Sequence, residues 1–240
     1  MTFAPKILNW YHEHQRDLPW RQTRDPYKVW LSEIILQQTR VAQGMPYYLR
    51  FVEAFPTVHD LANAPEEQVL KLWQGLGYYS RARNLHATAK TVVEDFDGKF
   101  PDTYKGLKSL KGVGDYTASA IASFCFDAPE PVVDGNVYRV LSRYFGIDIP
   151  INSTEGIKYF KELAREVMDS ENIRDYNQGI MEFGAIQCAP KKPYCLLCPL
   201  QESCVALQEN KVDQLPINLN KTKIRNRYFN YLVLLDDDGN

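Results

Sequence analysis

Residues 110–141 read LKGVGDYTASAIASFCFDAPEPVVDGNVYRVL, and the fold turns on how this stretch is parsed. Leu110-Lys111-Gly112-Val113-Gly114 is a glycine turn followed at once by an apolar run with helical spacing. With a helix on each side it reads as a helical hairpin. Glycines let the backbone approach an anion, and the first N–H groups of the next helix have no helical partner of their own, so the turn suits a phosphate. A plain turn between two helices has the same sequence features. Pro129, Pro131, Val132 and Val133 then carry the chain to Asp134-Gly135-Asn136. There Asp134 either caps the next helix or offers its carboxylate to a ligand.

Upstream, residues 25–39 read DPYKVWLSEIILQQT. Asp25 followed by Pro26 is an N-cap and a first-turn proline, which opens a helix through about Gln38. Glu33 has Val29, Trp30, Leu36 and Gln37 as its three- and four-residue neighbours. All but Gln37 are apolar, so Glu33 faces the buried side. Burial there raises its pKa and keeps it protonated near neutrality, the state a general acid needs. The plainer alternative is a boundary glutamate paired with Arg16 or Arg21. The tail Gln37-Gln38-Thr39-Arg40 suits base edges and equally suits a helix end.

Helical spacing continues almost everywhere from Phe3 to Leu207. The first helix begins around Ile7, Leu8, Trp10 and Tyr11. Others are predicted over 41–54, 66–73, 80–95, 103–109, 115–126, 136–145, 154–169 and 173–187. No strand signal appears before residues 228–235. The polar stretch 209–227, with Pro216, reads as a linker. Residues 236–240 look like a hairpin turn lacking its second strand, so 228–240 is expected to begin a truncated strand-rich domain.

The 240 residues are 45% hydrophobic and 24% charged, enough to bury a proper core. No apolar run reaches the roughly 18 residues of a membrane span, and the first residues lack a secretory signal, so a cytosolic protein is expected. The net charge of −2 gives no bulk positive field, so any grip on nucleic acid must come from placed groups. Cys125 stands alone in an apolar helix as a buried thiol. Cys188, Cys195, Cys198 and Cys204 are spaced C-x6-C-x2-C-x5-C. Four thiolates this close in a reducing compartment suit a structural zinc or an iron–sulfur cluster, and spacing chemistry leaves both open. Lys191 and Lys192 lie within this loop, either meeting phosphates or simply solvated.

Together these motifs resemble the helix-hairpin-helix DNA glycosylases that carry an iron–sulfur cluster, most nearly the mismatch adenine glycosylases of the MutY type. Four stretches carry the resemblance: LPWRQTRDPYKVWLSEIILQQTRV at 18–41, GLGYYSRARNL at 75–85, LKGVGDYTASAI at 110–121 with VDGNVYRVLSR at 133–143, and the cysteine spacing. The resemblance implies an all-α, two-lobed fold with a cluster loop. A lobe of about 25–133 would hold the hairpin, and 1–24 with 134–208 would form the cluster lobe. The linker over 209–227 and a truncated, Nudix-like β-rich domain from 228 would follow. It also implies one 4Fe–4S cluster on the four cysteines. The partner would be duplex DNA containing a mispaired adenine, met by a monomer in the cytoplasm of a bacterial cell, without a membrane.

The implied activity is hydrolysis of the N-glycosidic bond of adenine opposite 8-oxoguanine or guanine in base excision repair. Glu33 would protonate adenine N7, and Asp134 would stabilise or trap the sugar cation, assisted by Tyr116 and Asn136. Trp20, Arg21, Leu36 and Gln178 would line the adenine pocket. Gln38, Thr39, Leu76 and Tyr78 would approach the opposite base, with Gln38 and Tyr78 wedging into the stack. Core packing is the alternative for Trp20, Leu36, Leu76 and Tyr78. Lys111, Gly112, Val113 and Gly114 would hold DNA phosphate. Endonuclease III-like relatives have a lysine nucleophile where this chain has Tyr116, which implies a monofunctional enzyme. Two positions depart from the family pattern: Lys111 replaces a frequent proline, and Asp115 adds negative charge beside the hairpin. The competing expectations are an endonuclease III-like glycosylase for another base, and a non-catalytic iron–sulfur DNA-binding protein.

Overall fold

The computed structural model describes residues 3–219 and Tyr228. The expected strand over 228–235 and the end of the expected linker, 220–227, lie outside the described residues, Tyr228 excepted. Twelve α-helices make up the regular structure among the described residues, together with short 3-10 and π turns.

The first is α1 (Phe3–His14), followed by a 3-10 turn at Pro19–Arg21. Next comes α2 (Pro26–Leu36), where the Asp25 side chain accepts from the Tyr27 N–H at 3.0 Å, as the Asp-Pro pair predicts. It ends two residues earlier than expected: Gln37 leaves helical backbone (ψ 117°), and Gln38 then turns left-handed (φ 55°). Then follow α3 (Val41–Ala54), α4 (Val58–Asn63), α5 (Glu66–Trp73) and α6 (Ser80–Phe96). The periodicity of the sequence does not call for α4. It is a single turn and a half, started by a capping box between Thr57 and Asp60. Beyond α7 (Tyr104–Lys108) lie the glycine turn and α8 (Asp115–Phe126). The chain continues as α9 (Gly135–Phe145), α10 (Thr154–Val167) and α11 (Ile173–Glu182), which widens into a π-turn at Phe183–Gln187. The cysteine loop and α12 (Val205–Gln208) complete it.

Two apolar cores result. The first gathers buried side chains between Leu18 and Val132, from α2 through α8. Trp30 and Trp73 lie at its centre almost without exposure, and truncating either to alanine is worth about 3–5 kcal/mol. The second joins α1 to α9, α10 and α11 through Ile7, Tyr11, Val140, Phe160 and Ile180. Helix α8 is buried on every side from Thr117 to Cys125, so it needs no polar face. It packs against α2 on one flank and α11 on the other. Met181 touches both cores.

Residues 211–219 are not free chain. Leu215 is buried, its carbonyl accepts from Arg143 Nε at 3.0 Å, and the Ile151 N–H donates to the Ile217 carbonyl at 2.9 Å.

Candidate active site

A cavity of about 750 Å³ opens along the seam between the two cores. Helix α2 places Glu33 in its wall, α8 places Tyr116, and the start of α9 places Asp134 and Asn136. Trp20, Arg21, Leu36, Gln38, Thr39 and Gln178 line the same space. Residues as far apart as Arg16 and Ala185 thus share one cavity of the size that takes a small ligand.

Glu33 is 8% exposed. Burial pushes its pKa up to about 7; the Tyr116 hydroxyl pulls it partly back, the Asp134 charge adds to the rise, and Arg21 opposes it. The plainer pairing of Glu33 with Arg16 or Arg21 does not form. Those two arginines converge on Glu182, at 2.6 Å and 2.8 Å. Glu182 lies on α11 one turn after Gln178, and both side chains line the cavity. Burial works to raise its pKa, but the hydrogen bonds and charges of Arg16 and Arg21 outweigh that and hold it at about 2.

Asp134 does cap α9. Its Oδ1 accepts from the backbone N–H groups of Asn136 and Val137, both at 2.8 Å. Its Oδ2 accepts from Asn136 Nδ2 at 2.8 Å. The cap does not withdraw the residue from the cavity, which it also lines. Desolvation raises its pKa, and the bonds from Val137 and Asn136 restrain the rise. Arg139 Nη2 donates to Asn136 Oδ1 at 2.8 Å, and its Nε donates to the Cys188 carbonyl at 2.8 Å. One chain of polar contacts thus runs from Asp134 to the cysteine loop. Gly184, in the π-turn, lies so close to Asn136 that an added Cβ would stand 2.6 Å from its Cβ and 2.8 Å from its carbonyl oxygen.

Gln178 accepts from the Tyr11 hydroxyl through Oε1 at 2.8 Å. Its amide N–H groups are left for whatever enters the cavity. Trp20 is buried edge-on against Tyr48, yet it borders the cavity, so its packing and pocket-lining roles are compatible.

The comparisons with known proteins follow the same outline. A family described as "HhH-GPD superfamily base excision DNA repair protein" matches residues 31–166. The chain belongs to this superfamily. It is 39% identical to the adenine DNA glycosylase of Buchnera aphidicola (subsp. Baizongia pistaciae), over 98% of this chain and 67% of that protein. It is 44% identical to the adenine DNA glycosylase of Homo sapiens, over 89% of this chain but only 41% of the human protein. Among solved structures it is similar to a thermostable thymine-DNA glycosylase, with TM-score 0.80 and 33% identity over 86% of this chain and 95% of that one. An endonuclease III–DNA complex shares the fold, with TM-score 0.73 and 22% identity over 86% and 94% of the two chains. The chain, helical among its described residues, is a base excision DNA glycosylase, a hydrolase of N-glycosyl bonds.

The hairpin after which the HhH superfamily is named is formed by α7, the glycine turn and α8. Lys111, Gly112 and Gly114 are exposed and Val113 is buried beneath them. Gly112 has φ +77°, a conformation that favours glycine. No side chain caps α8, so its first N–H groups are left to a ligand. Asp115 is not a bare charge beside this turn. It accepts from Lys108 Nζ at 2.7 Å and from the Tyr104 hydroxyl, and these hold its pKa down.

Other expected contacts lie away from the cavity. Tyr78 projects at 68% exposure in left-handed backbone. Leu76 is 7% exposed within the first core. Lys191 and Lys192 are exposed on the cysteine loop. Cys188, Cys195, Cys198 and Cys204 border one small cavity with Arg143, whose Nη1 approaches Cys188 Sγ at 3.5 Å. Among the described residues no three His, Cys, Asp or Glu side chains are grouped to hold a single metal ion.

Sequence reasoning missed Glu182, Tyr11 and Arg139. The i, i+4 spacing of Gln178 and Glu182 was the available signal for the first. Tyr11 meets Gln178 from 167 residues away, beyond inference from sequence, whereas the i, i+3 spacing of Asn136 and Arg139 was a signal for the third.

Proposed function

We infer that the chain hydrolyses the N-glycosidic bond of adenine mispaired with 8-oxoguanine or guanine in duplex DNA, without cutting the strand itself. The observation that carries this reading is the opening of Glu33 and Asp134 into one cavity. Burial, which pushes the Glu33 pKa up to about 7, supports an acid that still carries a proton close to neutrality. The adenine must leave the stack to enter. Glu33 donates its proton to N7, so the base departs neutral as the bond from N9 to the sugar breaks. Asp134, fixed by Asn136 and the start of α9, stabilises the sugar cation or traps it until water adds. Tyr116 stays a neutral phenol, its pKa raised well above the usual value by burial and by Glu33, and it supplies no amine for an imine step. Gln178, Trp20, Arg21 and Leu36 receive the base; Gln38, Thr39, Leu76 and Tyr78 meet the opposite base. The hairpin and Lys191 and Lys192 meet phosphates.

The four cysteines would hold one 4Fe–4S cluster. Their gathering around one cavity, together with the C-x6-C-x2-C-x5-C spacing, supports this. Such a centre supplies electron transfer, which hydrolysis does not use, so its part here is to hold the loop. Iron analysis checks the assignment; one zinc with no visible absorption refutes it. The protein would act as a monomer on chromosomal DNA in a bacterial cytoplasm.

The test is a single-turnover assay on duplexes with adenine opposite 8-oxoguanine, run with and without alkali. Product only after alkali is expected; strand cleavage without it would refute the monofunctional reading. The likeness to a thymine-DNA glycosylase favours a second reading, mismatched thymine as substrate. A thymine–guanine duplex in the same assay separates the two.

A further inference from the structure

Gln38 and Tyr78 stand forty residues apart and belong to different turns, yet they share an oddity. Each is a non-glycine residue in left-handed backbone, with φ 55° and 46°. Such a conformation is uncommon for a residue with a Cβ and persists where its surroundings impose it.

One side chain touches both turns. Arg81, in the first turn of α6, sends Nη1 to the carbonyls of Ile34, Ile35 and Gln37 at 3.1, 3.2 and 2.6 Å. Its Nη2 reaches the carbonyls of Leu76 and Gly77 at 3.3 and 3.5 Å. The same guanidinium lies 5.1 Å from the Trp73 ring centre and 5.7 Å from that of Tyr78. No carboxylate forms an ion pair with it among the described residues. Its charge is met by the carbonyl end of α2 and by aromatic faces. A helix C-terminus alone would need only the first three contacts. The contacts to Leu76 and Gly77 tie that end to the turn that carries Tyr78.

We propose that Arg81 is a positioning residue that fastens the Gln38 turn to the Tyr78 turn, so that the two side chains enter a DNA stack as one rigid probe and set discrimination for the mispair. This rests on the inferred DNA contact of Gln38 and Tyr78. Lysine at position 81 keeps the charge but lacks the planar fork that spans both sets of carbonyls.

The test compares wild type, Arg81→Lys, the double variant Gln38→Ala/Tyr78→Ala, and all three changes combined. Thermal melting establishes that each is folded; Arg81→Gln replaces Arg81→Lys if the latter is not. The readouts are the ratio of excision rates for adenine opposite 8-oxoguanine and opposite thymine, and the fluorescence of 2-aminopurine beside the mispair. A merely structural arginine would lower both excision rates alike and leave the ratio unmoved. The proposal expects Arg81→Lys to cut the ratio at least tenfold and to weaken the fluorescence rise. It also expects no further loss when Arg81→Lys is added to the double variant. A wild-type ratio in Arg81→Lys, or losses that add in the combined variant, would overturn it while leaving the DNA contact intact. A wild-type ratio in the double variant would remove the contact reading and this proposal with it.

Discussion

Glu33 and Glu182 border the same cavity and are almost equally hidden from water, yet they ionise on opposite sides of neutrality. Glu33 has a phenol and another carboxylate beside it, and burial pushes its pKa up to about 7. Glu182 is gripped by two arginines that overcome burial and bring it to about 2. Burial alone therefore does not decide which carboxyl keeps its proton; the neighbouring cations do. The same arrangement keeps Arg16 and Arg21 occupied, so neither forms an ion pair with Glu33.

The largest effect expected from breaking this contrast is on chemistry. Glu33→Gln should lower single-turnover excision by about 10²–10⁴-fold while DNA binding in a gel-shift assay is retained. A near-normal rate would remove Glu33 as the acid.

Stability should respond with opposite signs. Glu182→Gln leaves two guanidinium groups beside a neutral amide. Loss of a buried partner is worth about 3–5 kcal/mol, and the partial exposure of Arg16 brings the expectation nearer 2–3 kcal/mol in urea unfolding. The depressed pKa of Glu182 means its contribution is present above the ordinary carboxyl value and is lost as pH falls toward about 2. Glu33 has a raised pKa. Its contribution is present below the ordinary carboxyl value and disappears as pH rises through about 7. Glu33→Gln should accordingly stabilise the protein at pH 8, by about 3 kcal/mol, and do little at pH 4. Destabilisation at pH 8 would contradict the assignment of a neutral acid.

The smallest effect is a shift along the pH axis. Excision should fall about tenfold per unit once pH passes well above 7, as Glu33 loses its proton. In Glu182→Gln the released charge of Arg21 favours the Glu33 carboxylate, so that fall should begin at lower pH. Removing Arg21 as well should move it back. An unchanged profile would mean that Glu182 holds the arginines without influencing the acid.

Much of this was legible before any coordinates. The Asp25-Pro26 start, the apolar surroundings of Glu33 and the glycine turn ahead of α8 are local patterns, and helical periodicity reports them directly. Asp134 looked ambiguous between cap and ligand because both uses need the same residue at the same place; it caps α9 and borders the cavity at once. What stayed hidden depends on distance in sequence. Glu182 is ordinary until Arg16 and Arg21 arrive from more than 160 residues away. The early end of α2 is tied to Arg81, forty-four residues beyond Gln37. Helix α4 is too short for periodicity, although its Thr-x-x-Asp capping box could have revealed it.

Gly184 bears on any effort to reshape the cavity. An alanine there would drive its methyl into the backbone of Asn136, which is not a flexible side-chain tip able to swing aside. Ala185, the very next residue, borders the cavity and is only half-buried. Pocket volume can therefore be tuned by enlarging 185, whereas the adjacent position is closed to even one extra carbon.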